Sequence, residues 1–168
     1  MYNFSRSTSD NSSEKSKNIY IDIESEESIK DAVNKIPDDI RFDLIFVATG
    51  ILHNDSDVYP EKSIRDISAD KFKKVLMINT VGPALIGKYF IPFLRKDARS
   101  VFAFLSARVG SISDNKLGGW YSYRASKTAL NQIIKKRKIL KTYKPHPKQV
   151  KNSKWPFNRH VLPKNGIK

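Results

Sequence analysis

The chain has 168 residues and no cysteine, and its 31 lysines and arginines against 17 aspartates and glutamates give a formal net charge of +14. This length suffices for one domain with a real core, and the lack of cysteine excludes disulfides and thiolate metal sites. No uninterrupted apolar run is long enough to span a membrane, and the N-terminus lacks the apolar block of a secretory signal, so we expect a soluble cytoplasmic protein without a membrane partner.

The pattern of apolar residues predicts strands that alternate with helices. Residues 1–17 are polar and are predicted to form a flexible N-terminal segment. Short apolar runs predict strands and a period of 3.6 residues predicts helices. In chain order the pattern gives a strand at 18–23, a helix at 25–36, a strand at 42–50, a helix at 68–94, a strand at 100–106 and a helix at 121–141.

This order of elements predicts an α/β fold, in which residues 18–141 form part of a doubly wound parallel sheet of the Rossmann type. Ser25 is the predicted N-cap of the first helix, and Pro83 is expected to kink or interrupt the second. Because such sheets bind ligands beyond the carboxyl ends of their strands, we expect the functional residues to follow residues 47 and 105.

The positive charge is concentrated at the C-terminal end of the chain. Asp114 is the last acidic residue, and the chain from residue 115 onward contains 15 lysines and arginines. Residues 142–168, which include four prolines, are predicted to be a basic irregular tail. Such a segment is more often solvated than bound, so no nucleic-acid partner is expected. A binding protein that uses residues 135–168 remains an alternative.

Tyr123 and Lys127 are four residues apart in the last predicted helix, so their side chains share one face. A free phenol has a pKa near 10 and is a poor base at neutral pH. An ammonium group within about 4–6 Å favours the phenolate and lowers that pKa. The pair therefore suits proton transfer at an oxygen atom, although in isolation it is more often a surface helix pair.

The sequence around this pair resembles the short-chain dehydrogenase/reductase family. SARVGSISDNKLGGWYSYRASKTALNQ (106–132) is most similar to the C-factor-like and Sniffer-like branch of carbonyl reductases. FVATG (46–50) is similar to the strand-end turn of the family that lies along the cofactor, and INTVGP (78–83) to its asparagine-containing helix motif. The resemblance covers residues 4–134 well and residues 146–163 poorly.

The resemblance implies an NAD(P)-dependent oxidoreductase that interconverts a small carbonyl compound and its alcohol. Tyr123 would exchange the proton with the substrate oxygen, and Lys127 would lower its pKa and hold the nicotinamide ribose, so that both also contact the cofactor. Asn79 would hold a water of the proton relay. Ser106 at the predicted strand end is the first choice for the serine that binds the substrate oxygen, and Ser111 is the alternative.

The same resemblance implies how the rest of the cofactor is bound. Ala48, Thr49 and Gly50 occupy the turn along the cofactor, and Asp22 follows the strand whose end contacts the adenine. Arg6 would suit a 2′-phosphate, since arginine binds phosphate in a bidentate manner. The expected cofactor is therefore NADP, with NAD as the alternative.

No glycine precedes Gly50, so neither G-x-x-x-G-x-G nor G-x-G-x-x-G, the glycine-rich turns that receive a pyrophosphate, appears before residue 50. Against the family pattern the chain looks shortened at its N-terminal side, without the first βαβ elements, and altered at its C-terminal side. We therefore expect it to bind NADP(H) weakly or not at all.

A catalytically inactive, truncated homologue is the main alternative to an active enzyme. Assembly into a homo-oligomer is a further alternative that the sequence leaves open. The three histidines are scattered, so no metal site is predicted.

Overall fold

The structure, a computed structural model, describes residues 1–7 and 16–135. Short strands and helices alternate in it, as the sequence predicts. In chain order they are β1 (Tyr2–Ser5), β2 (Lys17–Tyr20), α1 (Glu26–Asn34), β3 (Leu44–Val47), α2 (Ala69–Leu76), α3 (Gly82–Phe90), β4 (Val101–Phe104) and α4 (Tyr121–Ile134). The α/β class is thereby confirmed.

The strands pair in parallel, in two pairs. β1 lies beside β2 with Phe4 opposite Ile19, and β3 lies beside β4 with Val47 opposite Phe104. Within the described ranges the two pairs are separate two-stranded sheets. In each pair the carboxyl ends of both strands meet at one edge, which brings the residues after β3 close to the residues after β4.

The helices pack on one another as well as on the strands: α1 packs against α3, and α4 packs against both α2 and α3. Strand β3 shows the resulting one-sided burial. Val47 is buried in the core together with Phe102, whereas Leu44 and Phe46 are 60% and 56% exposed. Successive side chains of a strand point to opposite faces, so Leu44 and Phe46 belong to the face away from that core.

Helices α2 and α3 are joined without a break by a π-helical turn, Met77–Val81. Pro83 is the second residue of α3; it has no N–H to donate to the preceding turn, and in a regular α-helix its ring would clash with the carbonyl four residues before it. The break expected at Pro83 is therefore replaced by a wider turn that immediately precedes it, a type of distortion that is frequent at functional sites.

The start of the chain differs from its prediction as a flexible segment. Tyr2–Ser5 form β1 because their alternate aromatic rings pack on the core: the ring of Tyr2 meets Phe42 edge-on at 5.5 Å between centroids, and Phe4 meets Phe90 at 5.0 Å. The three predicted strands, observed as β2, β3 and β4, each end two or three residues earlier than predicted. The basic tail predicted at 142–168 and the last residues of the helix predicted at 121–141 lie outside the described residues.

The run Ala69–Phe93 is long and apolar enough to cross a membrane by length and composition alone. Half of its most apolar stretch is buried inside the fold, which is the usual condition of a core helix.

Candidate active site

Asn79 links the loop after β3 to helix α4. It lies in the π-helical turn, its side chain is fully buried, and it makes three hydrogen bonds. Its Oδ1 accepts from the backbone N–H of Ile51 at 2.7 Å, and its Nδ2 donates to the carbonyl of Ile51 at 2.8 Å and to Ser126 Oγ at 3.0 Å. The residue after Gly50 is therefore fixed by both of its main-chain polar groups.

Gly50 brings the main chain close to two of the predicted site residues. A Cβ atom added at Gly50 would lie 3.1 Å from Lys127 Nζ and 3.2 Å from Asn79 Oδ1. Glycine is needed here for its small size, since any side chain would crowd both groups. Gly50, Asn79 and Lys127 thus converge, as the sequence predicts for residues at the carboxyl end of β3.

Lys127 is buried, with 3% of its surface exposed. Its Nζ donates a hydrogen bond to the carbonyl of Leu105, just after β4, at 3.0 Å. Loss of solvation in this position lowers the pKa of Lys127. The ammonium is held between the ends of β3 and β4.

Tyr123 precedes Lys127 by one helical turn, and Lys127 Nζ lies 5.8 Å from the centre of its ring. Burial raises the pKa of the Tyr123 hydroxyl. The pKa shift predicted from the sequence had the opposite direction. The difference arises because the lysine ammonium is directed at Leu105 and not at the phenol, so desolvation of the ring dominates. Within residues 1–7 and 16–135 the hydroxyl has no hydrogen-bond partner, which leaves it available to a ligand.

The two candidate serines have different surroundings. Ser106 follows β4 by two residues and its Oγ donates to Asn131 Oδ1 on α4 at 2.6 Å. Ser111 lies in the next loop, and its Oγ is 3.1 Å from Ser113 Oγ. Neither hydroxyl makes a hydrogen bond with Tyr123 among the described residues, and the choice between them stays a prediction.

The remaining predicted cofactor residues also follow strands. Ala48 and Thr49 are exposed after β3. Asp22 follows β2, and its Oδ1 accepts from the N–H of Glu24 at 3.0 Å. Arg6 follows β1 and forms an ion pair with Glu24 at 3.5 Å. An exposed pair of this kind is worth little energetically, so a phosphate could displace it.

Ser126 is a site residue that sequence reasoning missed. It is fully buried on α4 between Tyr123 and Lys127, and its Oγ donates to the carbonyl of Tyr123 at 2.8 Å while accepting from Asn79. Its main-chain carbonyl accepts from Thr80 Oγ1 at 2.8 Å. The only sequence signal was a small hydroxyl residue on the inner face of a helix, a pattern too common to single it out.

Within the part of the chain that the structure describes, no group of three acidic or histidine side chains could hold a metal ion.

A family model described as short chain dehydrogenase matches residues 5–146. The chain therefore belongs to the short-chain dehydrogenase family, and the predicted resemblance is confirmed.

Individual proteins agree with this assignment. The chain is 29% identical over 114 residues to 1-hydroxy-2-glutathionyl-2-methyl-3-butene dehydrogenase of Rhodococcus sp. (strain AD45), a match that covers 67% of this chain and 46% of the relative. The chain spans about half the length of the curated relatives that it matches.

Solved structures share the fold. A short-chain dehydrogenase/reductase from Burkholderia multivorans with bound NADP is 27% identical, with a TM-score of 0.63, over 72% of this chain and 49% of that one. The carbonyl reductase Sniffer of D. melanogaster, at 24% identity, has a TM-score of 0.61 over 70% of this chain and 50% of its own. The Rossmann-type fold is thereby confirmed.

Proposed function

We propose that this chain is a nicotinamide-dependent oxidoreductase that interconverts a small carbonyl compound and its alcohol. The observation that carries the proposal is the convergence of Gly50, Asn79 and Lys127 beside Tyr123, whose hydroxyl lacks a partner among the described residues. Membership of the short-chain dehydrogenase family supports the reaction class.

The residues present fit the nicotinamide half of the cofactor. Gly50 lacks the side chain that would fill the space in front of Lys127, and the adjoining Ala48 and Thr49 are exposed. Lys127 would hold the ribose through its ammonium, and the turn after β3 would lie along the cofactor. The bound cofactor supplies the hydride.

Tyr123 would serve as the proton donor to the carbonyl oxygen. Because burial raises its pKa, the phenol is protonated at neutral pH, which suits reduction of a carbonyl more than oxidation of an alcohol. Ser106 or Ser111 would bind the same substrate oxygen. Ser106 would first have to release Asn131, since its one proton is already donated.

NADP is the proposed cofactor. Arg6 directly follows β1 and would bind the 2′-phosphate in place of Glu24, and a relative of known structure holds NADP. Replacement of Arg6 by alanine should then raise the KM for NADPH and leave that for NADH unchanged. Equal use of both cofactors by the unaltered chain would contradict this assignment.

The function is tested by following NADPH consumption with benzaldehyde and cyclohexanone as probes. Tyr123→Phe removes only the hydroxyl and should lower kcat by about 10²–10⁴-fold, the usual contribution of a general acid. Tyr121→Phe is the matched control and should retain activity. If the unaltered chain is folded and consumes no NADPH, the catalytically inactive homologue is the correct interpretation.

A further inference from the structure

Helix α4, which carries Tyr123 and Lys127, begins at an unusual turn. Gly118, Gly119 and Trp120 all have left-handed backbone conformations, with φ values of 66°, 64° and 53°. Glycine adopts this conformation freely, but a tryptophan does so only under constraint. Trp120 is the N-cap of α4 and supplies no side-chain hydrogen bond to it. The start of α4 must therefore be held by another part of the chain.

Glu61, in the loop between β3 and α2, holds it. Its main-chain carbonyl accepts from the N–H of Trp120 at 2.6 Å, and its two carboxylate oxygens lie 3.4 and 3.3 Å from the N–H of Ser122. The Glu61 side chain is buried, with the residue 6% exposed. A Cβ atom at Gly119 would lie 3.2 Å from the same carbonyl, so the glycine permits the close approach.

The charge of Glu61 suits this position. The first turn of α4 contains no acidic residue of its own, and the N-terminus of a helix attracts negative charge. Among the described residues Glu61 forms no ion pair, so the backbone N–H of Ser122 in the first turn of α4 takes the place of a cationic partner. A buried carboxylate without such partners would be costly.

The loop that contains Glu61 is fixed at two points, and both of them connect it to the part of α4 that carries Tyr123. Asn79 binds both main-chain polar groups of Ile51 at its beginning, and Glu61 binds α4 further along. Asn79 also reaches α4 through Ser126, whose Oγ donates to the carbonyl of Tyr123. Tyr123 thus lies within a closed ring of contacts, and Glu61 supplies the contact at the helix start.

We propose that Glu61 is a positioning residue for Tyr123: it fixes the first turn of α4 and thereby the place of the Tyr123 hydroxyl relative to Lys127. This inference rests on the proposed function for its catalytic consequence, but its structural content does not need activity. A residue that merely caps the helix would change stability and leave the environment of Tyr123 as it is.

The test compares Glu61→Gln, which keeps the shape of the side chain and removes its charge, with Glu61→Ala and with the exposed loop control Asp55→Asn. Amide hydrogen exchange of Ser122 should accelerate about tenfold or more in both Glu61 variants, since charge-assisted bonds and helix caps contribute that much, and should not change in the control. The Gln variant decides the question if the Ala variant does not fold.

Two further measurements separate positioning from capping. The titration of Tyr123, followed by NMR of ring-labelled tyrosine with Tyr123→Phe for assignment, should shift toward that of a free phenol in Glu61→Gln. In an active chain kcat should fall while the KM for the carbonyl stays within about twofold, as expected when only the transition state is affected. Unchanged exchange, or altered stability with an unchanged Tyr123 titration, would overturn the proposal. Absence of activity would overturn only the proposed function.

Discussion

Burial of Lys127 at the candidate site lowers the stability of the fold. Burial lowers its pKa below that of the unfolded chain, so the protonated lysine costs folding free energy at neutral pH. This cost disappears as the pH rises from the folded value to the unfolded value of about 10.4. Among the described residues its Nζ makes one hydrogen bond, to the carbonyl of Leu105.

Replacement of Lys127 by methionine should therefore leave the free energy of unfolding unchanged or raise it at neutral pH, while it abolishes NADPH-dependent activity. Methionine has a similar length and no charge to desolvate. Urea denaturation at neutral pH and near pH 10 measures the effect, and any gain should shrink at the higher pH. A large loss of stability at neutral pH would show that the ammonium is a net contributor to folding.

The raised pKa of Tyr123 gives the reaction a pH dependence. The protonated phenol is required for carbonyl reduction, so kcat for reduction should be level near neutral pH and fall only in the alkaline range, as the pH passes the Tyr123 pKa that burial has raised. Alcohol oxidation needs the phenolate and should rise across the same range. Initial rates in both directions measure this, with Tyr121→Phe as control. A reduction rate that already falls at neutral pH would indicate that Lys127 has lowered the pKa in the complex.

At the scale of elements, the π-helical turn places Asn79 where it can bind the loop after β3. Asn79→Ala removes three hydrogen bonds, one buried and two part-buried, and leaves both main-chain groups of Ile51 without their partner. We expect a loss of about 2–4 kcal/mol in the free energy of unfolding. Asn3→Ala, on the exposed side of β1, should cost about 0.5 kcal/mol or less. Chemical denaturation of both variants makes the comparison, and equal losses would refute the role of Asn79.

Local patterns predicted the elements well where local chemistry decides them. Ser25 caps α1 by accepting from the N–H of Ser28, and α4 begins at Tyr121 as predicted. The predicted strands were too long because apolar residues continue past the last ladder hydrogen bond. The π-helical turn left no sequence signal apart from Pro83.

The candidate site was predicted in part. Gly50, Asn79 and Lys127 do converge, because their places follow from strand ends and helix faces. The contacts of Glu61 and Ser126 could not be predicted, since they depend on how a loop and two helices meet. The serine remains undecided for the same reason: whether Ser106 or Ser111 could reach the substrate oxygen depends on the course of the loop after β4.

At the scale of the molecule, burial is one-sided, and the two faces of the strands should respond differently to substitution. Phe102 is 4% exposed in the core, whereas Phe46, on the neighbouring strand, is 56% exposed. Phe102→Ala should cost about 3–5 kcal/mol in the free energy of unfolding, and Phe46→Ala about 1 kcal/mol or less. Thermal or urea denaturation tests the pair. A comparable loss at Phe46 would mean that its face is covered in solution.

The π-helical turn also fixes the number of residues that the chain can have between α2 and α3. A π turn holds one residue more than an α turn, and each residue of an α-helix turns the chain by about 100°. Deleting one residue from Met77–Val81 would let a regular α-helix run from Ala69 to Phe90 with its two halves still nearly in phase, but it would remove the wider turn that holds Asn79 against Ile51 and Ser126. Inserting one residue would instead rotate one half against the other by about 100°. Insertions and deletions should therefore be excluded from these five positions.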